Sequence, residues 1–149
     1  MTDYESFAKR IVDSRVIGDP WLEGQPRFAE EPIVIDGATA RLLASVGERT
    51  ARIFDEGVRL AMEDPELLDA FFCMTPVQKA MFRASAPLWH GIARADVFLT
   101  TDGVAVAELN CDTPTGEAEA FVLAGIAKAA HPELIDPNEG LERAFMRML

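Results

Sequence analysis

Lysine is scarce in this chain: only Lys9, Lys79 and Lys128 occur among 149 residues. All cationic side chains together number 14 against 25 acidic ones, a formal net charge of −11 and a sequence pI near 4.5. Binding of DNA or RNA without regard to sequence requires phosphate neutralisation by Lys and Arg, so this balance argues against it. It argues equally against an anionic membrane surface. No apolar run approaches the roughly 20 residues of a membrane span, and the N-terminus lacks a basic-then-apolar signal. A cytoplasmic protein is expected. Cysteine is nearly absent. Cys73 and Cys111 form neither a disulfide framework nor a zinc pattern. Cys73, in the run Phe71-Phe72-Cys73-Met74, reads as core filler. Cys111 has no evident activating base. Of the two histidines, His90 reads as a packing or hydrogen-bonding residue and His131, beside Pro132, as a loop residue.

What is present suits a globular domain. The chain is 49% hydrophobic, and a domain of this length buries roughly 68–70% of its unfolded surface. One domain over residues 1–149 is expected. Thr2 and Glu5 make a capping box for a first helix with the stripe Tyr4, Phe7, Ile11 and Val12, stopped by Gly18-Asp19-Pro20. Residues 21–31, with Gly24 and Pro26, read as irregular, with Trp21 and Phe28 either anchoring the segment to the core or lining a cleft.

A long amphipathic helix follows from about Ala38 to Met62, with Leu42, Leu43, Val46, Ile53, Phe54 and Val58 on its apolar face. Glu48, Arg52 and Glu56, and likewise Asp55 and Arg59, are ion pairs four residues apart on its wet face. Asp64-Pro65 opens a shorter helix through Leu67, Leu68 and Phe71. Thr75-Pro76-Val77-Gln78 is a second capping box with proline at the first helical position. A later helix from about Glu117 carries Phe121, Val122, Leu123 and Ile126 and is expected to pack on the sheet. Asp136-Pro137-Asn138-Glu139 opens a last one with Leu141, Phe145, Met148 and Leu149 on its face. That apolar ending has two explanations, docking on the body of the domain or a chain cut from a longer protein, and the second is the expectation. The fold class is α+β: a helical N-terminal half, a β-hairpin in a small mixed sheet, and packed C-terminal helices.

The hairpin carries the chemistry. Residues 93–110 form two β-branched, aromatic and aliphatic runs around Thr101-Asp102-Gly103. Side chains alternate faces along a strand, so Arg94 and Asp96 share one face of the first strand, and Glu108 and Asn110 share one face of the second. A three-residue loop at 101–103 sets Asp96 opposite Glu108 and Arg94 opposite Asn110. A two-residue Asp102-Gly103 loop shifts the register by one and sends Glu108 to the other face; the turn chemistry permits both. Opposed carboxylates repel, and a hard cation relieves the repulsion. Asp96, Glu108 and the amide oxygen of Asn110 are suitable magnesium ligands. Arg94 is suited to grip a carboxylate or phosphate through two hydrogen bonds. The plain alternative is a solvated hairpin face on which Arg94 makes an ordinary salt bridge.

The run Arg94-x-Asp96, then Asp102-Gly103, then Glu108-Leu109-Asn110-Cys111-Asp112-Thr113-Pro114-Thr115-Gly116 resembles the glutathionylspermidine synthase family of permuted ATP-grasp ligases. The similarity is strong from Arg94 to Glu119 and continues more weakly over Pro32 to His90. The resemblance implies magnesium on Asp96, Glu108 and Asn110 near the phosphates of ATP. It also implies that Arg94 contacts the reacting carboxylate or its acyl phosphate. Family members are much longer, and no lysine here lies in a strand resembling a nucleotide-binding one. The resemblance therefore implies the front part of a ligase, with most of the ATP site in the remainder of the protein or in a partner lobe. The implied substrates are a peptide-like carboxylate and an amine, such as a polyamine. Two other functions are compatible with the residues: a standalone binding or regulatory module that keeps the cleft without the nucleotide lobe, and a helical interaction domain covered by the hairpin.

Overall fold

The structure is a computed structural model that describes residues 3–87, 91–111 and 113–148. The capping position Thr2, His90, Asp112 and Leu149 lie outside the described residues. The α+β class expected from the sequence is the class found, with helices in the first half, hairpins, and helices at the end. Among the described residues both sheets are two-stranded and antiparallel, so the sheet around the main hairpin is smaller than expected and not mixed. The chain divides into two compact units, Met1–Asp36 with Thr115–Leu149, and Gly37–Pro114.

The first unit is built on helix α1 (Asp3–Asp13). Tyr4, Phe7, Ala8 and Ile11 recur at helical spacing and are buried together with Ile17. Trp21, Phe28, Val122, Leu123 and Ile126 pack against that cluster. Tyr4 meets Trp21 edge to face at 4.6 Å between ring centroids. α1 ends at Asp13, five residues before Gly18, because Arg15 takes a left-handed conformation (φ 60°) and Ser14 Oγ donates to the Ile11 carbonyl.

Residues 21–26, expected to be irregular, form a tiny hairpin of β1 (Trp21–Leu22) and β2 (Gln25–Pro26). Its turn residues Glu23 and Gly24 both have positive φ, as a type I′ turn requires. The only tyrosine holds it in place. Tyr4 Oη donates to the Pro20 carbonyl and accepts from the backbone N–H groups of Arg27 and Phe28. Trp21 and Phe28 thus anchor the segment to the core, the first of the two alternatives.

Helix α4 (Glu117–Ala130) packs against α1; the sheet was the expected partner. Arg27 Nη2 donates to Glu119 Oε1 at 3.2 Å, tying the start of α4 to the segment after β2. His131 follows α4 at the helix end, with Nε2 3.4 Å from a Glu31 carboxylate oxygen and Nδ1 3.6 Å from Glu133. The last helix, α5, spans Leu141–Met148 and starts later than expected. Asp136 does not cap it; its carboxylate accepts from the Asn138 N–H, an Asx turn that delays the helix. Leu141, Phe145 and Met146 are exposed.

The second unit is organised around α2 (Gly37–Glu63), which contacts both strands of the main hairpin. Its extent matches the apolar periodicity. Of the expected apolar face, Leu43, Val46 and Val58 are half-buried, while Leu42, Ile53 and Phe54 are exposed. Thr50 and Ala61 are its buried residues, and Thr50 Oγ1 donates to the Val46 carbonyl. On the wet face Arg52 lies 3.8 Å from Glu48, and Arg59 pairs with both Glu56 and Glu63.

The segment after Asp64 is a π-turn, Leu67–Phe71, not an ordinary helix; it buries Leu68 completely and leaves Phe71 and Phe72 exposed. Cys73, expected in the core, is exposed in a left-handed conformation (φ 51°) just beyond that turn. Helix α3 (Pro76–Ala84) begins as read from the sequence: Thr75 and Gln78 complete a reciprocal capping box, with Pro76 at the first position.

Candidate functional site

Strands β3 (Arg94–Thr100) and β4 (Gly103–Asn110) form the main hairpin. The pairing at its open end is the one expected, Arg94 with Asn110 and Asp96 with Glu108. The route to that pairing differs. The loop is neither of the two considered, because Thr100 pairs with Gly103 and only Thr101 and Asp102 turn the chain. Thr100 Oγ1 donates to the Gly103 carbonyl across the turn, and Gly103 takes a positive φ of 133° that disfavours other residues.

A regular ladder from that turn would set Asp96 opposite Ala107 and put Glu108 on the far face. Instead Val97 pairs with Val106, and the next pair is Asp96 with Glu108, so Ala107 is an extra residue in a β-bulge. The shorter loop moves the register by one, and the bulge moves it back. Such bulges re-aim side chains at sheet edges and beside functional sites.

The four polar side chains converge as a result. Arg94 grips Asp96 with a two-pronged contact, Nε to Oδ1 at 2.7 Å and Nη2 to Oδ2 at 3.1 Å. Asn110 Nδ2 donates to Glu108 Oε1 at 3.0 Å. The Arg94 guanidinium holds the Asp96 carboxyl below the usual carboxylate range; neighbouring Glu108 and Asn110 act in the same direction more weakly, against the partial loss of hydration. Asp96 and Arg94 are both part-exposed, so solvent screens the pair.

Asp96 and Glu108 are hard carboxylate donors with an amide beside them, a set that fits a magnesium ion keeping water or phosphate oxygens as further ligands. They do not form a self-sufficient cage. Among the described residues no group of three or more His, Cys, Asp or Glu side chains is arranged to hold a metal.

Two neighbours complete the picture. Phe98, two residues from Asp96 on the same face of β3, pairs with Ala105 and is 63% exposed. Cys111 follows β4 and is half-buried, with Sγ 3.7 Å from the Leu109 carbonyl. Burial pushes its thiol pKa up, the opposite of activation. Beyond it, Gly116 (φ 108°) is the N-cap of α4 and has no side chain to cap it with.

No family model, curated protein or solved structure matches the chain significantly. Among the described residues no helix is long and apolar enough to cross a membrane.

Proposed function

We propose that the chain is part of an ATP-dependent carboxylate–amine ligase of the glutathionylspermidine synthase type. The observation that carries this reading is the bulge-corrected register, which sets Asp96 opposite Glu108 and Arg94 opposite Asn110. Two carboxylates face each other across a hairpin end at a cost in repulsion, an arrangement that favours a cationic ligand over a purely structural role. In this reading Asp96, Glu108 and Asn110 hold magnesium, which when bound neutralises phosphate charge. Arg94 orients the substrate carboxylate and steadies the acyl phosphate that forms when ATP transfers its terminal phosphoryl group to it and leaves as ADP; the amine then attacks the acyl carbon and phosphate departs. The substrates are a peptide-like acid and an amine; the net charge of −11 suits attraction of a cationic polyamine. The working compartment is the cytoplasm.

One observation favours a second reading, a binding or regulatory module that completes a partner's nucleotide lobe. All three lysines have local partners: Lys9 bonds Asp13, Lys79 bonds Asp69, and Lys128 bonds the carbonyls of Pro132 and Leu134. The ATP phosphates would then be held by residues elsewhere.

The test is phosphate release by the longest natural reading frame that contains these residues, assayed with thiol peptides and polyamines. Asp96→Ala and Glu108→Ala are expected to abolish magnesium-dependent ATP turnover while the protein stays folded. Undiminished turnover in either variant removes that residue from the mechanism.

A further inference from the structure

Ile33, Val34 and Ile35 are consecutive β-branched aliphatic residues, and all three are exposed, Ile33 to 92%. They lie in residues 32–36, which form no helix, strand or turn. Among the described residues no backbone–backbone hydrogen bond ties 33–35 to another segment. Single exposed aliphatic residues need no explanation, but a contiguous run marks a contact surface. Residues of this type favour an extended backbone with packed neighbours on both faces.

The main hairpin offers the complement. Among the described residues it is a sheet of two strands, so each strand has an outer edge of backbone N–H and C=O groups. On β4 that edge is broken by the bulge at Ala107. On β3 it is continuous, and the stretch Val97-Phe98-Leu99-Thr100 carries no charge and no proline. Phe98 and Leu99, on opposite faces of β3, are both exposed. Natural proteins blunt or cover an edge of this kind.

We propose that residues 33–35 of a second copy of this chain add to the outer edge of β3 as a third strand. The exchange is reciprocal, so the pair closes as a symmetric dimer. A second copy is the partner that brings both halves, an extended apolar segment without a ladder and a ladder without a third strand. The alternation matches. With Val34 opposite Phe98, Ile33 and Ile35 fall beside Val97 and Leu99, so both faces gain aliphatic or aromatic pairs. Glu30, Glu31 and Asp36 flank the run and confine the added strand to its apolar centre. The proposal is independent of the ligase reading.

The experiment is sedimentation velocity over a concentration series on the longest natural chain containing these residues, with amide hydrogen exchange on the same samples. A monomer–dimer equilibrium is expected, and residues 33–35 and 97–99 are expected to gain protection together as the dimer fills. Ile33→Lys with Ile35→Lys, both at exposed positions, is expected to weaken the dimer at least about tenfold. Leu99→Lys, a charge on the accepting edge, is expected to do the same. An equimolar mixture of the two variants pairs an intact segment with an intact edge and is expected to associate more tightly than either alone. A synthetic peptide of residues 29–37 is expected to dissociate the unmodified dimer while residues 97–99 stay protected.

A monomer at every concentration overturns the proposal. So does a dimer that the paired lysine variant leaves intact, or a mixture that associates no better than its components. Protection of 33–35 that is independent of concentration places the segment on its own chain and overturns it equally.

Discussion

Tyr4 and Asp96 both stand at the centre of a polar network, but the two networks differ in burial and in the partners they bring together. Tyr4 is buried, and its hydroxyl donates to the Pro20 carbonyl and accepts from the N–H groups of Arg27 and Phe28, reinforcing the Arg27 N–H to Pro20 carbonyl bond of the backbone itself. Every polar atom there supports the packing around Ile11, which is wholly buried. Asp96 is part-exposed, faces another carboxylate, and is held by an arginine two residues away. Nothing in the packing requires that opposition; a Thr–Thr or Asn–Thr pair would stabilise the ladder better. The contrast separates polar groups whose bonds serve the packing from polar groups for which a ligand is proposed.

That contrast has consequences of graded size. Ile11→Ala empties a fully buried position in the first unit and is expected to cost about 2–5 kcal/mol, read from the urea midpoint. Asp96→Asn at neutral pH is expected to shift the same midpoint far less, because solvent screens the ion pair. A loss at Asp96 equal to that at Ile11 would make the hairpin face structural after all.

The smallest effect is in acid. Asp96 has a folded-state pKa below its unfolded value of about 3.9. Its contribution to stability is therefore fully present above that value and is lost as the pH falls through the lowered one. The stability difference between the unmodified protein and Asp96→Asn is expected to shrink across that acid window and to be flat above about pH 5. A difference that grows as the pH falls would reverse the assigned role of Arg94.

The hairpin was legible because strong strand formers flank the segment Thr101-Asp102-Gly103. Its end pairing was also legible, yet the path to it was not. Thr101-Asp102-Gly103 supports more than one loop, and no local propensity marks Ala107 as the extra residue of a bulge. The shorter loop and the bulge cancel, so the expected pairing arose from compensating departures.

Elsewhere the misses have local causes. Glu23-Gly24 was a turn signal, but strands of two residues carry no periodicity. The apolar run around Cys73 suggested a core, whereas the π-turn and the left-handed Cys73 place the thiol outside. Asp136 offers the same carboxylate to an Asx turn as to a helix cap, and the sequence does not decide between them.

The most direct test of the account is paramagnetic broadening of backbone amide signals at low Mn2+ occupancy in the longest natural chain. The account predicts that Asp96, Glu108 and Asn110 broaden first and together, from opposite strands of one hairpin. Broadening centred on any other acidic residues, with these three unaffected, would contradict it.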